Sequence, residues 1–135
     1  MIFKTSQNQK KLRMELKNIC GQEYSLIEKI KKGFFGSPKY LILDMRPKKY
    51  KIDFVNYSDM IFCTIEMRKK GLAIYFRYKN EEYVVMTIYN KFSFISNDGI
   101  FEIQAENITL KLKVKNLKLH KKFLTKLIQQ RNYAN

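Results

Sequence analysis

The chain has no Trp, one His, two Cys, two Pro and five Gly in 135 residues, and only 12 Asp plus Glu against 27 Lys plus Arg. Each scarcity closes off a class of protein. Cys20 and Cys63 are isolated, so they make neither a disulfide scaffold nor a CxxC metal or redox motif; they read as buried thiols of a reducing cytoplasm. So little Gly and Pro excludes collagen-like and low-complexity chains, and 45% hydrophobic residues exclude a disordered tail. No window approaches the roughly 18 apolar residues of a membrane span. Residues 1–10 lack the apolar stretch of a secretory signal. The reading is one globular domain over 1–135, cytoplasmic, with a peripheral seat at the inner membrane face as the form lipid binding takes.

Enzymatic constellations are absent at the level of motifs. His120 stands among Lys118, Lys121 and Lys122 on an expected helix, with no Cys or Ser at motif spacing, and is expected on the helix surface. Glu81 and Glu82 are adjacent, so in a strand their carboxylates point to opposite sides and form no acid and base pair. Asp44, Asp53 and Asp59 fit no metal-ligand spacing, and the chain has no Gly-rich phosphate loop or HExxH helix. No catalytic residue, metal or cofactor is expected. Catalysis from a dispersed site assembled by distant residues stays open as an alternative.

What the chain does have is cationic charge, +15 in all. Twenty-two of the basic residues are Lys, and Lys, Ile, Asn, Tyr and Phe all have AT-rich codons, so position says more than total. No acidic residue follows Glu106, whereas Lys111, Lys113, Lys115, Lys118, Lys121, Lys122, Lys126 and Arg131 do. A field concentrated in this way steers an anionic partner, whatever the fold.

The hydropathy pattern divides the chain. In the first 35 residues Ser6 with Gln9 and Ser25 with Glu28 have capping-box spacing. They predict two short helices, one with Leu12, Leu16 and Ile19 ending at Gly21, one with Leu26, Ile27 and Ile30 ending at Gly33. Leu12, Met14 and Leu16 also alternate, so a strand is the competing assignment for the first. After the loop-like 33–38 the period changes to two, with candidate strands at 40–45, 50–56, 60–67, 72–78, 83–89, 92–96, 101–105 and 109–115. Spacers this short imply an antiparallel meander, because a parallel crossover needs about a dozen residues or more. Asp98-Gly99 is the clearest hairpin turn. In the last strand Ile108, Leu110, Leu112 and Val114 share one face while Thr109, Lys111, Lys113 and Lys115 share the other. Asn116 then caps a helix with Leu119, Phe123, Leu124, Leu127 and Ile128 as its apolar stripe. The fold class is α+β: an antiparallel meander of about seven strands, with one or two amino-terminal helices and a carboxy-terminal capping helix.

That element order resembles the bacterial PH-like domains of the pleckstrin-homology superfold over 40–131, with 1–35 as a helical extension. The resemblance implies a curved sheet or barrel plugged at one end by the last helix, where Phe123 is the bulkiest candidate plug. In PH domains phosphoinositide headgroups are often gripped near the first strand and the loop after it, a region that here holds Arg46, Lys48, Lys49 and Lys51.

The function expected is a non-catalytic binding module whose basic face holds an anionic partner, either an acidic protein or an anionic membrane surface. Lys111, Lys113, Lys115, Lys118, Lys121 and Lys122 form the main anion-binding patch, with Arg46, Lys48, Lys49, Arg68, Lys69 and Lys70 as loop contacts. RNA or ribosome association is the alternative, since lysines two apart on a strand project every ~6.6 Å, near the phosphate spacing of a single strand. Residues 70–76 resemble an RNA-recognition signature, yet Leu72 and Ile74 stand where that family stacks bases, so an ordinary buried strand is expected there. Phe34 and Phe35, between glycines, either fold back over the sheet or form an exposed tip.

Overall fold

The computed structural model describes residues 2–4, 9–32, 36–47 and 60–134, excepting the side chains of 2–4, 9, 30–32, 133 and 134. The Ser6 cap, Gly33, Phe34, Phe35, Lys48, Lys49, Lys51 and the expected strand at 50–56 lie outside the described residues.

In chain order the elements are β1 (Ile2–Lys4), α1 (Gln9–Cys20), α2 (Leu26–Lys32), β2 (Tyr40–Arg46), β3 (Phe62–Met67), β4 (Gly71–Tyr78), β5 (Glu81–Ile88), a 3-10 turn (Tyr89–Lys91), β6 (Phe92–Asn97), β7 (Ile100–Ala105), β8 (Ile108–Val114) and α3 (Leu117–Ala134). The strands form one antiparallel sheet in the order β1-β5-β4-β3-β2-β8-β7-β6. It comprises two meanders, β2 to β5 and β6 to β8, joined where the first strand of one pairs with the last strand of the other. The sheet is open, with β1 and β6 at its edges.

Tight turns set the register. Lys79 and Asn80 (φ 49° and 63°) join β4 to β5, and Asp98 and Gly99 (φ 51° and 78°) join β6 to β7; two left-handed residues match the twist of a hairpin. Between β3 and β4 the chain runs so close to β5 that a Cβ on Gly71 would lie 2.0 Å from the Thr87 carbonyl oxygen.

The sheet has two differently covered faces. Tyr40, Ile65, Leu72, Ile74, Phe101, Ile103, Leu110 and Leu112 belong to the main core, into which α3 inserts Phe123 and Leu127. On the opposite face α1 lays Leu12, Leu16 and Cys20 over Ala73, Val84 and Met86, forming a second, smaller cluster. The i, i+4, i+8 spacing of those three residues makes one stripe, and Gly21 (φ +80°) ends the helix in the left-handed region. β4 is thus covered on both sides and reads as a nearly unbroken apolar run, whereas β7 and β8 alternate buried and exposed because their outer face meets water.

Two expected apolar faces are displaced. In α2 the capping box forms, Ser25 Oγ accepting the Glu28 amide at 3.2 Å, but Leu26 and Ile27 are exposed. In α3 the buried side runs through His120, Phe123, Leu127 and Gln130, leaving Leu119 and Ile128 exposed. His120 is therefore not on the helix surface: it is 1% exposed, because Tyr40 and Ser96 offer a partner to each ring nitrogen.

Candidate binding surface

β8 presents its cations as the alternation requires, but its neighbours alter their weight. Lys111 lies between Asp44 of β2 and Glu102 of β7 as direct cross-strand neighbours. Such pairs place Cβ atoms about 4.5–5.5 Å apart, so this lysine sits in a sign-alternating row and contributes little net field. Lys113 is flanked instead by Leu41 and Ile100. Lys115 holds its Nζ 4.9 Å from the centroid of the Phe62 ring.

On α3 the picture is different. The Asn116 side chain accepts the Leu119 amide at 3.1 Å and starts the helix, whose outer side carries Lys118, Lys121 and Lys122, all exposed. No acidic residue stands on the helix or anywhere after Glu106, and among the described residues no ion pair involves Lys118, Lys121 or Lys122. Leu117 (53% exposed) and Leu119 (46%) flank Lys118 at the amino-terminal tip. Lys126 is half-buried, and that burial holds its ammonium below the usual lysine range.

Of the expected loop contacts, Arg46 is exposed and 3.3 Å from Asp44, at the position paired with Thr109 on β8. Lys48 and Lys49 lie outside the described residues. Arg68 is an internal brace: its Nε donates to the Gly21 carbonyl at 2.9 Å and an NH group donates to Glu66 at 2.7 Å, with the side chain only 13% exposed. Lys69 is 3.5 Å from Glu28 and 6.0 Å from the Tyr24 ring, and the backbone amide of Lys70 is bonded to the Cys20 carbonyl. The 68–70 turn is thus stitched to the end of α1, while Lys113, Lys115, Lys118, Lys121 and Lys122 stand exposed on the end of β8 and on α3.

Three polar side chains that no motif announced line up under α3. Tyr40 Oη is 2.7 Å from His120 Nδ1, and His120 Nε2 is 2.8 Å from Ser96 Oγ. A serine relay needs Nε2 to accept the serine proton. Tyr40 is wholly buried and its hydroxyl makes this one hydrogen bond among the described residues, so its O–H donates to Nδ1; the ring proton then sits on Nε2 and donates to Ser96. In that tautomer the line joins β2, β6 and α3 and leaves Ser96 without a base. Burial also holds the imidazole below its usual pKa and hence neutral. Gln130 anchors the other end of α3 by accepting from the Tyr24 hydroxyl. The thiols are inert by the same physics: burial pushes Cys20 up to about 11 and Cys63 up to about 12. Among the described residues no group of three His, Cys, Asp or Glu is placed to hold a metal, and no helix is long and apolar enough to cross a membrane.

Clefts open on the surface among the described residues. One of about 540 Å³ over the outer face of β3 and β4 includes Phe62, Tyr75, Arg77 and Glu82. A second of about 320 Å³ includes Glu23 and Glu66. A third of about 500 Å³ lies between α3 and residues 36–38 and includes Lys122 and Lys126. The fold defines an α+β protein with an open antiparallel sheet and a cationic carboxy-terminal helix. Compared with known proteins, the chain matches no family model, no curated protein and no solved structure.

Proposed function

We propose that this is a non-catalytic binding module of PH-like architecture that docks on an anionic membrane surface through α3 and the end of β8. The architecture is supported by the sheet order β5-β4-β3-β2-β8-β7-β6 with a helix directly after β8, the order of the pleckstrin-homology superfold. The observation that carries the docking reading is the exposed row Lys118, Lys121 and Lys122 on the outer side of α3. Leu117 and Leu119 beside Lys118 favour a lipid surface over an acidic protein, since apolar side chains among lysines suit the headgroup boundary. Lysine rather than arginine supplies point-charge attraction in place of bidentate recognition.

Co-sedimentation at low salt tests it, with phosphatidylserine-containing vesicles against phosphatidylcholine alone. The protein pellets with the anionic vesicles only. A surface lysine contributes about 1 kcal/mol near an anionic leaflet, so the double variant Lys118→Glu/Lys121→Glu binds at least about tenfold more weakly. Equal binding to both vesicles overturns the proposal. Binding to a mixed RNA pool that exceeds vesicle binding and falls steeply with salt moves the reading to RNA.

A further inference from the structure

β6 (Phe92–Asn97) ends the sheet, and it carries none of the residues that usually blunt an edge. Edge strands are normally protected by Lys, Pro or a bulge, because their open amides and carbonyls are a template for another strand. β6 holds no charge, no Pro and no Gly, and Ile95 near its middle is 71% exposed. The opposite edge, β1, is only three residues long and includes Lys4.

The turn fixes which groups of β6 are open. A two-residue turn closes on a hydrogen-bonded pair, here Asn97 with Ile100. Hydrogen-bonded and non-hydrogen-bonded pairs then alternate, so Ile95 bonds Glu102 and Ser93 bonds Gln104. The amides and carbonyls of Phe94 and Ser96 are left directed away from β7. Among the described residues no backbone hydrogen bond outside the ladder involves either one. α3 meets them through side chains, His120 on Ser96 Oγ and Arg131 at 5.5 Å from the Phe94 ring centroid.

From this we infer that β6 pairs antiparallel with β6 of a second copy about a two-fold axis, Phe94 of each chain bonding Ser96 of the other. This register uses the open groups of both residues and leaves out the Phe92 amide, which already donates to the Tyr89 carbonyl. It sets Ile95 opposite Ile95 of the second copy as a non-hydrogen-bonded pair, where Cα atoms approach to about 4.5 Å and apolar side chains pack. Charge favours this edge for self-pairing. Over 91–106 Lys91 stands against Asp98, Glu102 and Glu106, whereas the rest of the chain is strongly basic, so two +15 chains meet here with least repulsion. Lys91, 3.6 Å from Glu106 of its own chain, also comes beside Asp98 of the other. Antiparallel pairing keeps like faces together, so α3 of both copies lies on one side of the joined sheet. The pairing itself uses no lysine of the docking surface.

One strand pair buries less than the roughly 1,200–2,000 Å² of a stable complex, so the dimer is weak, with a Kd of about 0.1–1 mM. Sedimentation equilibrium of the full chain tests it: apparent mass rises with concentration toward two chains and stops there. Added sodium chloride strengthens the association by screening the net charge. Ile95→Lys sets two ammonium groups face to face and weakens it at least about tenfold. Register is read by cross-linking under oxidised glutathione. Ile95→Cys gives a disulfide dimer, since the paired Cα distance lies within disulfide range, whereas Asn97→Cys, opposite Ser93 of the second copy, gives none. Lys118→Glu/Lys121→Glu still dimerises, which separates failure of this inference from failure of vesicle docking. Three results would each overturn it: a monomer up to about 1 mM, equal cross-linking of the two cysteine variants, or unchanged association in Ile95→Lys. Mass growing past two chains would also overturn it, because pairing of β6 with β1 of the next copy does not close.

Discussion

His120 sits where three elements meet, and its hydrogen bonds make the fold sensitive to acid. Tyr40 donates to Nδ1, so protonating that nitrogen removes the acceptor of a buried hydroxyl as well as placing a charge in the core. The folded state therefore prefers the neutral ring, consistent with a pKa held below the usual value by burial. The unfolded chain takes up the proton first as pH falls through its ordinary pKa near 6.5. Stability is full above that pH and declines below it until the folded imidazole titrates too. The chain has one His, and hydrogen bonds hold Glu23 and Glu28 below the usual carboxylate range, so their losses come at still lower pH. The expected result is a thermal midpoint that drops between pH 7 and pH 5. In His120→Gln, whose amide keeps one donor and one acceptor, that drop disappears. A wild-type midpoint flat across the interval would contradict the buried neutral ring.

Elements were legible where their faces meet a single environment. The alternation in β8 and β7, the capping signals at Ser25 and Asn116, the Asp98-Gly99 turn and the seven strands β2 to β8 can all be read from residue type and spacing. Three features could not. β1 has only three residues and pairs with β5, a partner far along the chain that no local pattern announces. The stripe of α3 is turned toward His120 and Gln130, because buried polar residues with partners outcompete Leu119 and Ile128 for the inner face, and those partners are set by tertiary contact. The main basic patch was legible as charge, but not the acidic flanks of Lys111 or the bracing role of Arg68, which depend on strand register. Gly71 shows how register becomes energy. Its Cβ would overlap the Thr87 carbonyl oxygen at 2.0 Å, a backbone atom that cannot swing away. Gly71→Ala therefore forces β4 and β5 apart, a cost of about 1–3 kcal/mol or more by analogy with overpacked cores. Denaturant titration is the check: a midpoint unchanged from wild type would show that the pairing of Gly71 with Ile88 is looser than described.

At the scale of the molecule, +15 of net charge in 135 residues makes the folded state repel itself. Opposing this are ion pairs of 2.6–3.6 Å, Lys29 with Glu23, Arg46 with Asp44, Arg68 with Glu66, Lys69 with Glu28 and Lys91 with Glu106. Most of these are exposed, and exposed pairs contribute about 0–1 kcal/mol each. Salt weakens both effects unequally. The pairs act over a few ångströms, whereas repulsion among the lysines of β8 and α3 sums over longer distances. The screening length shrinks from about 30 Å at 0.01 M to about 8 Å at 0.15 M, which removes the long-range part first. Added sodium chloride is thus expected to raise the thermal midpoint, by about 3 °C or more across that range, the reverse of a protein held by surface salt bridges. The same salt weakens vesicle docking by screening Lys118, Lys121 and Lys122 from the anionic lipid. One titration gives two readouts of opposite sign, stability rising while binding falls. A midpoint that falls would mean that the ion pairs outweigh the self-repulsion. Docking that ignores salt would mean that Leu117 and Leu119, rather than the lysines, hold the surface.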